Sequence, residues 1–306
     1  MNKSGQFFTL IAIFLISLMF LSFELFSYFS ENKSIKTRVS SMDSFLFSVE
    51  DNLERQLYIS GFRILFLAEN QITSSGVYIP DIDGFFQEAF FNATILGVPA
   101  NSTILIGATY EDIVDSLNNK ARKINVDITL NNSVLNISQN DPWYVNITLT
   151  SDFVMEDRTD LARWEKTQVI SILIPVTSFE DPFFTINTYA RISRKISQTP
   201  YEGAYSAGGD ATGLVDHVDK GYYAANSEAP SFLDRFEGNI GPNINGIESF
   251  VNIPDLSAQA LIIRDKSCID YIYFSSLNPV AHDSVPNMPS WFKIDAEDGH
   301  DTKYGV

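Results

Sequence analysis

The hydrophobic positions fall into three patterns along the chain. From Phe7 to Phe23 there are 17 residues without a charge, and after Glu24 the apolar run resumes through Leu25, Phe26, Ser27, Tyr28 and Phe29. Crossing the hydrocarbon core of a bilayer takes ~20 mostly apolar residues. Segment 7–29 therefore predicts one transmembrane helix, with residues 1–6 as a short leader or tail. No second stretch of this kind occurs, so a single-pass protein is expected. Beyond it the apolar residues become a stripe: Ile35, Val39, Met42, Leu46, Val49, Leu53 and Leu57 recur every three or four positions, with Lys36, Arg38, Asp43, Glu50, Asp51, Glu54 and Arg55 between them. That is one face of an amphipathic helix. No proline falls between Gln6 and Ile79. A continuous helix from Phe7 to about Ile72 is predicted, ~100 Å long at 1.5 Å per residue, with a stalk over 30–75 stopped by Ser74-Ser75-Gly76 and Pro80.

The third pattern is mixed. Thr109-Tyr110-Glu111-Asp112 resembles a capping box ahead of an apolar face made by Tyr110, Ile113, Val114, Leu117 and Ala121, which predicts a helix over 110–122. The period then changes to two. Val126, Ile128 and Leu130 alternate with polar residues, as do Val145, Ile147 and Leu149. With Asn131-Asn132 and Asn140-Asp141-Pro142 as punctuation, these predict an antiparallel meander. Residues 169–175 suggest a more buried strand that Pro175 ends. Asp181-Pro182 opens a Gly-, Pro- and aromatic-rich region in which 269–274 suggests a strand and Trp291-Phe292 closes a core. The expected class is α+β: a long N-terminal transmembrane and stalk helix, then a mostly antiparallel β-rich head with short helices over 80–306, with a possible subdivision near 180–200.

Charge narrows the function. The 21 Lys and Arg are outnumbered by 38 Asp and Glu, for a net charge of -17. This argues against sequence-independent nucleic-acid binding, which needs a basic face. The single cysteine, Cys268, rules out an intramolecular disulfide and multi-cysteine metal sites. Lys33, Lys36 and Arg38 after the apolar run mildly favour the large domain inside. Two features point outward: the whole net charge lies beyond residue 50, and N-x-[ST] sequons occur at Asn92, Asn101, Asn131, Asn136 and Asn146. The expected arrangement is an extracytoplasmic head with glycosylation at those five asparagines.

Met1-Asn2-Lys3-Ser4-Gly5-Gln6 followed by the apolar run resembles the class III leader of archaeal type IV pilin-like proteins. The resemblance implies a lollipop-shaped subunit, a prepilin peptidase that cuts between Gly5 and Gln6, and assembly with further copies or other pilin-like subunits through the N-terminal helix. It covers about the first 30 residues. It departs at Leu10, where many such proteins carry an acidic residue. PSFLDRFEGN, NGIESFVNIPDLSAQ and MPSWFKID in the C-terminal half are similar to stretches of uncharacterised archaeal membrane-anchored surface proteins.

Signals for chemistry are sparse. His217, His282 and His300 lie near Asp216, Asp219, Asp283, Asp298 and Asp301, a set that admits a zinc site but has no recognised ligand spacing. In the acidic run 295–301, Gly299 falls at position 5 rather than 6, so the calcium-loop pattern fails. Residues 208–213 lack the Lys-Ser/Thr of a phosphate loop. Cys268 is expected to be a small core residue. Most of the 24 Phe and 13 Tyr are expected to fill cores, with some left for an interface or a carbohydrate-contacting face. No catalytic residue, metal or cofactor is expected. The expected function is a membrane-anchored, pilin-like surface subunit for filament assembly or adhesion. The alternatives are a single-pass anchored ligand-binding or envelope-organising domain and, last, an anchored metal-dependent enzyme using the histidines.

Overall fold

The computed structural model describes residues 3–100, 103–159, 161–177, 179–203, 205–206, 209–276, 282–295 and 299–305. One helix, α1 (Lys3–Ser75), runs unbroken through the apolar segment and the stripe. It ends where expected: Gly76 adopts φ +67° and its N–H bonds to the Ile72 carbonyl. After α1 come α2 (Ile82–Asn92), a small hairpin β1 (Thr94–Ile95) and β2 (Val98–Pro99), and α3 (Tyr110–Ala121). The box before α3 is present, since Thr109 Oγ1 accepts from the Asp112 N–H while Asp112 accepts from the Thr109 N–H. Strands β3 (Val126–Asp141), β4 (Tyr144–Asp157) and β5 (Arg163–Pro175) form a three-stranded sheet in that order. The fold is α+β, with antiparallel sheets and short helices after the long N-terminal helix.

Two details of the sheet differ from expectation. Asn131-Asn132 does not end a strand. Asn132 sits at φ +50° inside β3. The buried positions change there from even (Val126, Ile128) to odd (Leu135, Ile137). One extra residue of this kind swaps which face the following side chains occupy without breaking the strand. Strand β5 is also less buried than its apolar run suggests. Ile170 and Ile174 are buried, but Val169 and Leu173 are exposed, because alternate side chains point to opposite faces of the sheet and only one face of β5 is covered.

The chain divides into two compact units. The first comprises residues up to Leu53, Val114–Asn131 and Asp152–Thr167. Its buried residues include Met42, Leu46, Val49, Leu117, Phe153 and Met155. Arg38 closes it by donating to the fully buried Asp157 and to the Asn125 carbonyl, and Lys166 pairs with Glu50 at 2.5 Å.

The second unit comprises Glu54–Ile113, Asn132–Ser151 and the chain from Gln168 onward. Within it, a Cβ on Gly61 of α1 would lie 2.3 Å from Ile147 and 2.9 Å from Ile174, so the absence of a side chain lets helix and sheet approach. The C-terminal part holds α4 (Pro182–Asn187), α5 (Thr212–Lys220), α6 (Phe232–Glu237), α7 (Ile253–Ala258), α8 (Asp270–Phe274) and α9 (His300–Tyr304). Two small ladders join them: β6 (Ala224–Ala225) with β7 (Ile247–Glu248), and β8 (His282–Ser284) with β9 (Lys293–Asp295). Phe183, Phe184, Phe250, Ile269 and Phe292 lie in one apolar core. Segment 269–274 is not a strand but the cap and body of α8. Asp270 decides this: at the helix start its carboxylate takes Arg235 and the hydroxyl and N–H of Ser249.

Candidate functional site

The apolar part of α1 exposes an extended apolar surface. It is long and apolar enough to cross a membrane, and none of the span is buried. Phe8, Met19 and Phe23 are 72%, 77% and 73% exposed. Leu, Ile and Phe occupy every side of this stretch, so no rotation of the helix would hide it against a single neighbour. Gly5 and Gln6 lie in the first turns of α1.

The sequons sit on different elements. Asn92 ends α2 and is exposed; Asn131 and Asn136 are exposed on β3. Asn146 on β4 is half-buried, and its carbonyl accepts from Ser171 Oγ at 2.6 Å. Asn101 lies outside the described residues, as do Asp298 and Gly208.

The three histidines are not brought together. His282 is at the surface, 3.3 Å from Asp265. His217, in the last turn of α5, is fully buried among Tyr205, Phe250 and Tyr304, and neither ring nitrogen has a hydrogen-bond partner among the described residues. Burial pushes it down to about 4, so it is neutral at physiological pH. His300 is the opposite case. Its Nδ1 meets Asp295 at 2.8 Å and its Nε2 meets Glu248 at 3.1 Å. Burial opposes its charge, but the two carboxylates outweigh burial and raise it to about 10. Among the described residues no group of three His, Cys, Asp or Glu side chains is placed to hold a metal ion. Cys268 is buried, its thiol raised by burial to about 11.

Two buried ionic clusters mirror each other. In one, a single cation serves two acids: Arg235 Nη1 donates to Asp181 at 2.7 Å and to Asp270 at 2.9 Å, all three side chains fully buried. Tyr223 adds its hydroxyl to Asp181, and the Arg235 guanidinium lies 4.8 Å over the Phe183 ring. In the other, a single acid serves two cations: Glu248 meets His300 and Lys303, and also takes Tyr304 Oη at 2.5 Å and Asn226 Nδ2 at 2.6 Å. Burial alone would raise Glu248, yet these partners hold it ionised, at about 2. Removing one member of such a cluster strands a buried charge, which costs more than the pair contributes. The sequence gives no local cue to either cluster, since the partners lie 22 to 56 residues apart.

Beside the second cluster is an open cleft of about 710 Å³ lined by Trp143, Thr199, Tyr201, Tyr205, Ala225 and Lys303 among others. Aromatic rings and hydrogen-bonding groups share its wall, a combination suited to a polar ligand with flat apolar faces. No family model matches the chain, and neither the curated proteins nor the solved structures provide a match.

Proposed function

We propose that this chain is a membrane-anchored cell-surface subunit of the archaeal type IV pilin-like kind. In this reading α1 is held by its apolar part in the bilayer, and transfers to a bundle of copies or related subunits on assembly. The observation that carries the reading is α1 itself: 73 residues without a break, apolar on every side over its first part and striped thereafter. An all-round apolar helix is unstable in water and gains free energy in lipid or among like helices. The acidic head would stand outside, with the exposed sequon residues Asn92, Asn131 and Asn136 available to glycosylation. No reaction is required of it: assembly is the function.

The test is the N-terminal residue of the native protein in membrane and sheared-surface fractions. A chain starting at Gln6 in the sheared fraction supports processing by a prepilin peptidase and filament assembly. A chain retaining Met1 and confined to membranes removes that reading. It would leave a single-pass anchored binding domain, which the aromatic cleft at Trp143, Tyr201 and Tyr205 favours as the second reading.

A further inference from the structure

The carboxylate of Glu248 brings together a primary amine and a carboxamide. Lys303 Nζ donates to Glu248 Oε1 at 2.5 Å and to the Ala225 carbonyl at 2.9 Å. Asn226 Nδ2 donates to the other oxygen, Oε2, at 2.6 Å. The Asn226 Oδ1 is in turn held by the Glu228 N–H at 3.1 Å. Glu248, His300 and Tyr304 are fully buried, and Phe250 packs on Tyr304 with ring centroids 4.7 Å apart. Each group required for amide exchange is therefore present at the edge of the cleft, over a buried carboxylate: a nucleophile, a carbonyl with a donor on its oxygen, and a carboxylate touching both the attacking and the leaving nitrogen.

We propose that Lys303 and Asn226 join in an intramolecular isopeptide bond, with Glu248 moving the protons. Glu248 takes a proton from the Lys303 ammonium, and the freed Nζ attacks Asn226 Cγ. The Glu228 N–H steadies the negative charge that develops on Oδ1. The Cγ–Nδ2 bond breaks as Glu248 passes to Nδ2 both the proton taken from the ammonium and the second proton that Nζ sheds on becoming an amide nitrogen. One ammonium ion leaves for each bond formed, so atoms and charge balance and no oxidant or cofactor is needed. Ala225, Thr302 and Lys303 line the cleft described above, which gives the ammonium a path to solvent. The two cations beside Glu248 keep it ionised, so its Oε1 faces Nζ as a proton acceptor.

The bond has a structural consequence. It would tie α9 to the turn after β6 and close residues 226–303 into a covalent ring. Such a link does for a one-cysteine chain what a disulfide does elsewhere, by restricting the unfolded ensemble. A surface protein exposed to shear and proteases gains from a fastened C-terminal helix.

Peptide mapping of the intact, full-length chain tests this. Trypsin cutting after Lys220, Arg235 and Lys293 should release 221–235 joined to 294–306, lighter than the sum of the two peptides by one ammonia, with no cleavage after Lys303. Lys303→Arg should abolish the joined peptide and lower the melting temperature by roughly 5–15 °C, the range expected for loss of a ring-closing crosslink. Separate peptides from the folded wild type, cut after Lys303, would overturn the proposal. So would loss of ammonia confined to the Asn226 peptide, which signals a succinimide instead. A Glu248→Gln chain that still yields the joined peptide would contradict the assigned proton transfer.

Discussion

The two parts of α1 are built from the same residue types and behave oppositely. Between Phe7 and Phe29 the Phe, Leu and Ile side chains point in all directions and are exposed. Between Met42 and Ile72 the apolar residues Met42, Leu46, Val49, Leu53, Leu57, Ile64 and Ile72 form a stripe and are each 5% exposed or less. Hydrophobicity alone does not distinguish these parts; its angular distribution does. A stripe can be satisfied by the chain's own fold, and each buried Leu or Ile there contributes ~1.5–3 kcal/mol. An all-round apolar surface has no such partner within the chain and must find lipid or other helices.

That contrast can be broken at either end. The largest effect is expected from Leu57→Ala or Ile64→Ala. Each should destabilise the head by about 2–5 kcal/mol in denaturant titration while leaving membrane retention unchanged. Next is Leu18→Asp, where a charge near the middle of the apolar segment costs ~2.5–3.5 kcal/mol of insertion. Membrane retention should fall and the unfolding midpoint of the head should not move. If Leu18→Asp also destabilised the head, the two parts would not be independent in the way proposed. Gly61→Leu sharpens the contrast on a finer scale. The added side chain meets Ile147 and Ile174, so a loss of about 1–3 kcal/mol is expected.

The smallest effect depends on pH. Glu69 on α1 accepts the Glu180 N–H, and burial raises it from 4.5 to about 7. The folded chain therefore holds this proton more tightly than the unfolded chain. Stability from this group declines as pH rises from about 4.5 to about 7. Glu69→Gln should raise the melting temperature at pH 8 and leave it unchanged near pH 4. An equal shift at both pH values would show that the carboxylate is not responsible.

How far the sequence foretold the structure follows from the range of the interactions involved. The helical spacing from Ile35 to Leu57, the Thr109–Asp112 box and the strand alternation at 145–149 are local patterns, and the structure has each of them. The Ile269–Phe274 segment went the other way. Its β-branched and aromatic residues favour a strand, but Asp270 must reach Arg235 and Ser249, and the first turn of a helix places it there. The role of Asn132 was invisible for a related reason, since an extra residue in a strand and a break between strands share the same turn-forming amides. The Glu248 cluster lies furthest from sequence reasoning: Asn226, Glu248, His300 and Lys303 have no shared motif, and only the β6–β7 pairing and α9 bring them together.

The central claim is that the apolar part of α1 is satisfied outside its own chain. Alkaline extraction of membranes containing the full-length protein, followed by flotation on a lipid gradient, tests it most directly. The account predicts that the chain resists extraction and floats with lipid, and that Leu18→Asp shifts it toward the soluble fraction. A full-length chain that is released by alkali and remains a monomer in detergent-free buffer would contradict it.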